Sequence, residues 1–595
     1  MRHITDLNNI IGKNLNQIYK SISSIKYLDI YLFAISIIIL VIAQCIQYPS
    51  LTYHAEIYVE NGTNFFIHAY QDKLLANLFI TDAGYLPLTQ RLIALLVVKG
   101  FHIIAWYPYF TQFFAIIFIA VSSSLITLNI FRNFSHSLLI RFLLGLAIGL
   151  ISDYELHVFI NFIYYGAIIL FLLLFLNKEN ISKFLLFILG LLSGLIILSK
   201  GQFVVFLPIF IVFAIVHFRK KEYRSFGYFL IVILAASIQL IVIKSNSQGA
   251  HVGLFLVPYY FIKTLYYFVL SYRHVFLGYV LKPKINLIII PFLFMLFIIA
   301  IKKLIREKKY QVLTIFFVGN FIAICSLFLT VIVLNNNINS NFVGILSKVS
   351  PSTRNLTIAP TPHPVLITTS QDVRKYQSIF DDKHLANLRS LFFSNLFIFL
   401  TGILVLIAAV PKKSYQLFII ILFFLTSGAF AQFKGEEPYQ TRNLSFSQWS
   451  IYSQMLGKHA YCIPINNYPN LITKNCTLLY TYSDSIYSIE NPVKDISLSR
   501  YLLGQKHWNI QAIILMDNQI IPETQMTMFA FNKNGVALGK ARQLTPINYK
   551  YEYYLFDKPV KDATYVSFIN EKGKIQAVIP HVTILGTAEK GKNEK

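Results

Sequence analysis

Long apolar runs dominate the chain up to residue 432, with short polar stretches between them. A helix needs about 20 apolar residues to cross the ~30 Å hydrocarbon core of a bilayer. Runs close to this length recur, and they predict about eleven transmembrane helices. The runs lie near residues 28–47, 108–131, 137–153, 157–177, 183–199, 201–218, 226–244, 286–301, 311–334, 391–410 and 415–432.

Basic residues flank these runs in alternation, as expected where short Lys- and Arg-rich loops face the cytoplasm. This pattern predicts a cytoplasmic N-terminus and puts everything after residue 433 outside. It also puts three long loops, 48–107, 245–285 and 335–390, on the outer face. The basic groups lie at positions 13–26, 132–141, 178–183, 219–224, 302–309 and 412–413.

The chain after residue 434 is much less apolar, and its second half alternates between apolar and polar residues in Met526–Phe531 and Tyr565–Phe568. A period of two predicts β-strands, and the Asn534-Gly535 pair between two such runs favours a hairpin. We therefore expect a polytopic α-helical membrane domain, residues 1–434, followed by a β-rich, sandwich-like soluble domain, residues 435–595.

The composition narrows the class of protein. The 595 residues are 55% hydrophobic with a mean hydropathy of +0.57, which excludes an ordinary soluble protein. Many charges behind the net +25 sit in short loops, where anionic headgroups attract them, so membrane lipids rather than nucleic acid are the expected partners. The Ile-, Lys- and Asn-rich composition is typical of a bacterium with an A·T-rich genome. If this bacterium has an outer membrane, we expect the chain in the inner (cytoplasmic) membrane with its C-terminal domain in the periplasm.

Two of the four cysteines, Cys462 and Cys476, lie in the soluble tail. An oxidising compartment would allow a disulfide between them, and two free thiols are the alternative. The spacing of the cysteines does not match a zinc site.

A small acidic stretch follows the first apolar run. If residues 56–60 are helical, Glu56 and Glu60 lie one turn apart and each raises the proton affinity of the other. One of them could then take a proton from a sugar hydroxyl as a general base. The alternative is that both are solvated loop carboxylates.

The Glu60-Asn61-Gly62 stretch, followed by Gly84-Tyr85-Leu86 and Arg91, resembles the GT-C superfamily of membrane glycosyltransferases, which use polyprenyl-phosphate-linked sugars. The resemblance implies that Glu60 is the base with Glu56 as its partner. It also implies that Asn61, Tyr85 and Arg91 contact substrate. Asn61 stands where an acid is common, which weakens the case for a metal site. We therefore assign no metal ligands, and dependence on Mg²⁺ or Mn²⁺ stays open.

A second acidic element, Asp153, Glu155 and His157, lies in a very short turn where such enzymes often carry another acidic site. Its alternative role is to cap two helix ends. For the departing phosphate, the outward-facing cations are Lys200, Arg273 and Arg442. Arginine can hold phosphate with two parallel hydrogen bonds, although anchoring to lipid headgroups explains all three cations equally well.

The expected function is sugar transfer from a polyprenyl-phosphate donor to an envelope glycan, lipid or protein on the periplasmic face. A single displacement driven by one base would invert the anomeric carbon. One alternative is an O-antigen-type polysaccharide polymerase, which usually lacks an acidic loop directly after the first span. Another is a non-catalytic lipid or polysaccharide transporter, which tends to carry ionisable residues within its spans and to show internal repeats.

Overall fold

The computed structural model describes residues 27–246, with short gaps at 53–56, 58–60, 152–153 and 177, and then residues 257–277, 286–349 and 392–426. Farther along it describes Trp449, Ser453, Leu456, Leu498, Leu502 and the strands and hairpin turns between 461 and 589. The described chain is mostly helical up to residue 426 and β-stranded after residue 461. The predicted order, helices followed by a β-rich part, is confirmed.

The helical part is built from α-helices joined by short 3₁₀ and π turns. Those of eight residues or more, in chain order, are α1 (Leu28–Gln47), α2 (Leu88–Leu95), α3 (Tyr107–Ser124), α4 (Leu138–Gly149), α5 (Gly166–Leu174), α6 (Lys183–Ile197), α7 (Leu207–Arg219), α8 (Tyr223–Asn246), α9 (Val257–Leu277), α10 (Asn286–Arg306), α11 (Tyr310–Val349), α12 (Phe392–Ala409) and α13 (Lys413–Thr426).

Within the described residues, five helical stretches are long and apolar enough to cross a membrane. They are Leu28–Gln47, Ile104–Thr127, Gly201–Arg219, Tyr223–Asn246 and Tyr310–Val331. Five shorter apolar helices of 10–17 residues accompany them. The run predicted at 157–177 illustrates why some helices are shorter than the apolar runs. There the chain passes through the 3₁₀ turn Phe162–Tyr165 before α5 begins. The figure of about eleven spans stays a prediction.

Helix α1 presents an apolar surface to its surroundings. Its isoleucines at positions 30, 35, 38, 42 and 46 are exposed, while Leu40 and Ser36 are buried against other helices. In water such a surface would be costly, whereas lipid tails match it. This face is consistent with a membrane protein.

Helix α5 lies at the centre of the helical part, with every residue except Ile169 buried. Its first residue, Gly166, allows a close approach to α6. A β-carbon there would lie 2.6 Å from the side chain of Ile196, closer than atoms can pack. The start of α5 and the end of α6 are thereby held close together, which brings the turns at 157–165 and 198–206 into one region.

Lys178 follows α5 and is 1% exposed. Its ammonium donates hydrogen bonds to the carbonyls of Leu173 and Leu176 and lies over the rings of Tyr228 and Phe229, at 4.8 and 4.7 Å. Burial lowers the pKa of Lys178 to about 7, although the charge of Glu222 opposes this shift. The sequence analysis counts Lys178 among the basic residues of the cytoplasmic loops, whereas the structure packs it inside the protein.

The C-terminal strands are β1 (Tyr461–Pro464), β2 (Leu471–Lys474), β3 (Thr477–Thr481), β4 (Asp495–Ser497), β5 (His507–Met516), β6 (Thr527–Phe531), β7 (Ala537–Gln543), β8 (Tyr551–Lys561), β9 (Tyr565–Asn570), β10 (Gly573–Lys574) and β11 (His581–Glu589). Strands β1 and β2 form a separate antiparallel pair. The others form one nine-stranded antiparallel sheet, ordered β10-β9-β6-β7-β8-β5-β11-β3 with β4 beside β9.

This sheet curves into a half-barrel, where the sequence predicts a sandwich of two sheets. The alternating pattern is real, since β6 alternates between half-buried and buried residues. Its buried face packs with residues such as Met528, Tyr554 and Ile584, all from the same sheet. Period-two alternation identifies the buried face of a strand. It does not say whether a second sheet or the curvature of the first one covers that face.

We predict that Gly586→Ala destabilises the sheet. Gly586 lies at a register shift in β11, and a β-carbon there would meet the carbonyl oxygen of Asn509 at 2.0 Å. Because that neighbour is backbone, overpacking should cost about 1–3 kcal/mol. Pulse proteolysis of the C-terminal part measures this loss. Gly227→Ala is the control, because nothing lies within 4 Å of its added methyl group. Equal protease resistance of the two variants would contradict the assignment.

We also predict that the stability of the wild-type protein relative to Lys178→Met rises between pH 7 and pH 10. The folded-state pKa of Lys178 is about 7 and the ordinary value is 10.5, so the unfolded wild-type chain binds the extra proton throughout this window. The gain is at most about 1.4 kcal/mol per pH unit. Thermal unfolding of both proteins in detergent, compared at each pH, measures this difference. The exposed-site variant Lys183→Met should follow the wild type, and identical profiles for all three proteins would contradict the prediction.

Candidate functional site

The π-helix Asn61–Phe66 immediately follows the predicted base, Glu60. Asn61 is 3% exposed, and its Oδ1 accepts a hydrogen bond of 2.7 Å from the hydroxyl of Tyr107 at the start of α3. The predicted substrate contact at Asn61 is therefore already occupied in part by a protein partner. Its side chain is held in one position, and this fixes the chain next to Glu60.

Arg91 on α2 is 1% exposed, and its guanidinium holds the 48–107 loop together. Its Nε donates to the carbonyl of Ile80 at 2.7 Å, and Nη1 donates to the carbonyl of Asn64 at 3.3 Å. Burial lowers the pKa of Arg91, while the charges of Asp82 and Asp72 oppose this. An arginine remains charged despite such a shift. The guanidinium also lies over the Phe65 ring, 5.5 Å from its centre. These contacts with the protein favour a positioning role over direct contact with substrate.

The Gly84-Tyr85-Leu86 motif forms a tight turn. Asp82 and Tyr85 exchange two backbone hydrogen bonds of 2.8 and 3.0 Å, and the residues between them, Ala83 and Gly84, have φ angles of 47° and 83°. Two successive positive φ angles define a type I′ turn, which glycine adopts without steric cost. Asn64 also donates to Asp82 Oδ1 at 2.6 Å, which ties the turn to the π-helix.

The same motif is fixed to the long helix α8 on its other side. The side-chain amide of Gln239 donates to the carbonyl of Leu86 and accepts from its N–H, both at 3.2 Å. The backbone N–H of Leu88 donates to the carbonyl of Leu198 at 3.1 Å. Tyr85 is thus carried by a turn that is anchored to α8 and to the end of α6.

Lys200 is the point where three segments meet. Its ammonium donates to Asn161 Oδ1 at 3.0 Å and lies over the rings of Tyr85 and Tyr164, at 5.2 and 5.0 Å from their centres. Cation–π contacts of this kind hold an ammonium in place without neutralising its charge. Two predicted substrate contacts, Lys200 and Tyr85, are therefore neighbours, although 115 residues of sequence separate positions 85 and 200.

His157 is buried beside the end of α1. Its ring lies against Tyr48 at 4.7 Å and Tyr165 at 5.8 Å between ring centres. Its carbonyl accepts a hydrogen bond from the side chain of Gln112. The His157 ring thus forms part of an aromatic cluster with Tyr48 and Tyr165. The role of His157 in substrate binding stays a prediction.

An apolar cavity of about 420 Å³ lies between α1 and α3. Its lining includes Leu51 and Thr52, the last described residues before the acidic stretch. Its lining residues are Val41, Cys45, Leu51, Thr52, Tyr109, Phe110, Phe113 and Ile116.

Several predicted site residues lie outside the described part of the chain. These are Glu56, Glu60, Asp153, Arg442 and Cys476. Glu155, Arg273 and Cys462 belong to a described helix turn, to α9 and to β1, but nothing is described of their side chains. Base catalysis, phosphate binding by the arginines and the disulfide therefore stay predictions.

Within the described residues, no three His, Cys, Asp or Glu side chains are grouped so that they could share a metal ion. Glu56 and Glu60 are not among these residues, so a requirement for Mg²⁺ or Mn²⁺ stays open.

Sequence reasoning missed Tyr107, Asn64 and Asp82 as parts of this region. Tyr107 lies 46 residues from Asn61, and Asp82 lies 18 residues from Asn64. No periodic signal connects such pairs. Only the polar character of Asn64 and Asp82, within a loop suspected of function, could have pointed to them.

No known protein family matches this sequence, and comparison with curated proteins and with solved structures also gives no match.

We predict that Arg91→Met destabilises the 48–107 loop. Methionine fills similar space but cannot donate to the carbonyls of Ile80 and Asn64, and each buried acceptor that loses its donor costs about 1–3 kcal/mol. The thermal unfolding midpoint in detergent should fall clearly. The control is Lys73→Met, which removes an exposed cation from the same loop. If Arg91→Met melts at the wild-type temperature, the guanidinium does not hold this loop.

Proposed function

We propose that this protein is a membrane glycosyltransferase that moves a sugar from a polyprenyl-phosphate donor to an envelope glycan, lipid or protein on the outer face. The observation that carries the proposal is the convergence of Tyr85, Asn161 and Tyr164 around the ammonium of Lys200. This gathers the Gly-Tyr-Leu motif and a fixed cation in one place.

A fixed cation suits the chemistry of a leaving phosphate. When the bond between the anomeric carbon and the phosphate oxygen breaks, negative charge grows on that oxygen, and a preorganised cation stabilises it. Lys200 has the required charge, and the amide oxygen of Asn161 and the rings of Tyr85 and Tyr164 hold its ammonium in place. In this proposal the donor phosphate binds at Lys200 beside the Tyr85 ring.

The apolar cavity supports a lipid-linked donor. It is lined almost entirely by apolar side chains, most of them from α1 and α3, and its lining includes Thr52, four residues before Glu56. A polyprenyl chain could bury its methylene groups there, with each one contributing about 0.8 kcal/mol. The phosphate and sugar would then extend toward the acidic stretch.

The proposed reaction is a single displacement. Glu60 takes the proton of the acceptor hydroxyl, whose oxygen forms the new bond to the anomeric carbon as the bond to phosphate breaks. Glu56 raises the proton affinity of Glu60, and Arg273 and Arg442 are further candidates for holding the phosphate. Polyprenyl phosphate leaves, and the anomeric configuration is inverted.

The test is transfer from radiolabelled polyprenyl-phosphate sugars in membranes that contain matched amounts of each variant. We expect Glu60→Gln to lower kcat by about 10²–10⁴-fold, the usual contribution of a general base. Lys200→Met should mainly raise KM for the donor, and Lys200→Arg should restore part of the binding because it keeps the charge.

Lys73→Met serves as the control for these variants, since it removes an exposed cation elsewhere in the loop. A product with retained configuration would rule out the single displacement. If the wild type transfers no sugar from any donor and all variants behave alike, the enzyme proposal fails and transport becomes the leading function.

A further inference from the structure

In the segment that contains Trp449 and Leu456, these two residues contact the 48–107 loop, although more than 340 residues separate them from it in sequence. The indole of Trp449 is 4% exposed, and its Nε1 donates to the carbonyl of Ile104 at 3.0 Å. Its ring meets the edge of Phe66 with 5.1 Å between ring centres. Farther along, the carbonyl of Leu456 accepts a hydrogen bond of 3.1 Å from the hydroxyl of Tyr70.

Phe66 connects this segment to the interior of the loop. It is 0% exposed, and it touches Tyr107 at 4.9 Å and Tyr70 at 5.9 Å between ring centres. Tyr107 in turn donates its hydroxyl to Asn61. A continuous set of contacts therefore runs from Trp449 through Phe66 and Tyr107 to Asn61.

The element at the end of this path depends on tertiary support. Residues Asn61–Phe66 form a π-helix, which is rare and occurs mostly as single turns, frequently at functional sites. Both of its ends are held from outside, Asn61 by a hydrogen bond and Phe66 by three aromatic rings. Strand β2 also lies against it. Without these contacts, we expect residues 61–66 to lose the π-helical geometry.

We infer that Trp449 is a positioning residue: together with Leu456 it fixes the π-helix Asn61–Phe66, and through it the chain next to Glu60. The C-terminal part of the protein thereby controls the geometry of the 48–107 loop. The effect of Trp449 on catalysis rests on the proposed function, whereas the effect of Trp449 on the geometry of the loop is independent of that function.

The first test is hydrogen–deuterium exchange of the purified full-length protein, followed in peptides that cover residues 61–71. Trp449→Ala should speed exchange there by about tenfold or more, because local opening becomes easier. Tyr70→Phe, which removes only the hydroxyl bonded to Leu456, should produce a smaller increase at the same peptides. This second variant keeps the test informative if Trp449→Ala fails to fold.

Leu538→Ala is the matched control, since this exposed apolar side chain lies on β7 of the C-terminal sheet. Its exchange at residues 61–71 should equal that of the wild type. If neither Trp449→Ala nor Tyr70→Phe changes exchange in these peptides, the inference is overturned.

Measuring sugar transfer by the same variants then distinguishes failure of this inference from failure of the proposed function. Faster exchange with lowered kcat and unchanged KM for the donor supports a positioning role in catalysis, because Trp449 has no contact with the Lys200 region among its described neighbours. Faster exchange with unchanged kcat overturns that role. Faster exchange in a protein whose wild type transfers no sugar leaves the loop contact established and rejects the glycosyltransferase proposal.

Discussion

The buried guanidinium of Arg91 is the interaction on which the candidate site depends. It joins the carbonyls of Ile80 and Asn64, which belong to separate parts of the 48–107 loop. Asn64 then bonds Asp82, which closes the turn that presents Tyr85. The buried backbone groups of an irregular loop packed against apolar helices need hydrogen-bond partners, and a side chain of the loop can supply them. A cation with several donors in a fixed plane meets this need better than a neutral side chain.

The same solution recurs at the other end of the helical part. Arg141 is 1% exposed, and its guanidinium donates to the carbonyls of Thr127 and Ser135 and to Asn129 Oδ1. Lys178 likewise donates to the carbonyls of Leu173 and Leu176 at the end of α5. These cations close helix ends and turns whose carbonyls would otherwise be buried without partners. In the described part of the chain, the buried side chains of Arg91, Arg141 and Lys178 therefore serve the backbone.

The proposed chemistry uses Lys200, another fixed cation. Its ammonium bonds the amide oxygen of Asn161 and lies over the rings of Tyr85 and Tyr164. Such contacts orient the ammonium. In the proposal, the phosphate binds at Lys200 and the lipid lies in the apolar cavity, whose lining includes Thr52, four residues before Glu56.

The amino-acid sequence alone predicts the order of helices and strands, because apolar runs and period-two alternation reflect local burial. It also identifies Lys200 as an outward-facing cation, and Tyr85 through the resemblance of the Gly84-Tyr85-Leu86 stretch. Contacts in the folded protein were needed to show that these two side chains meet and that Arg91 serves the backbone. The same holds for the link from Trp449 to the π-helix and for the single curved sheet. Each of these depends on contacts between distant segments, and such contacts leave no periodic trace in one sequence.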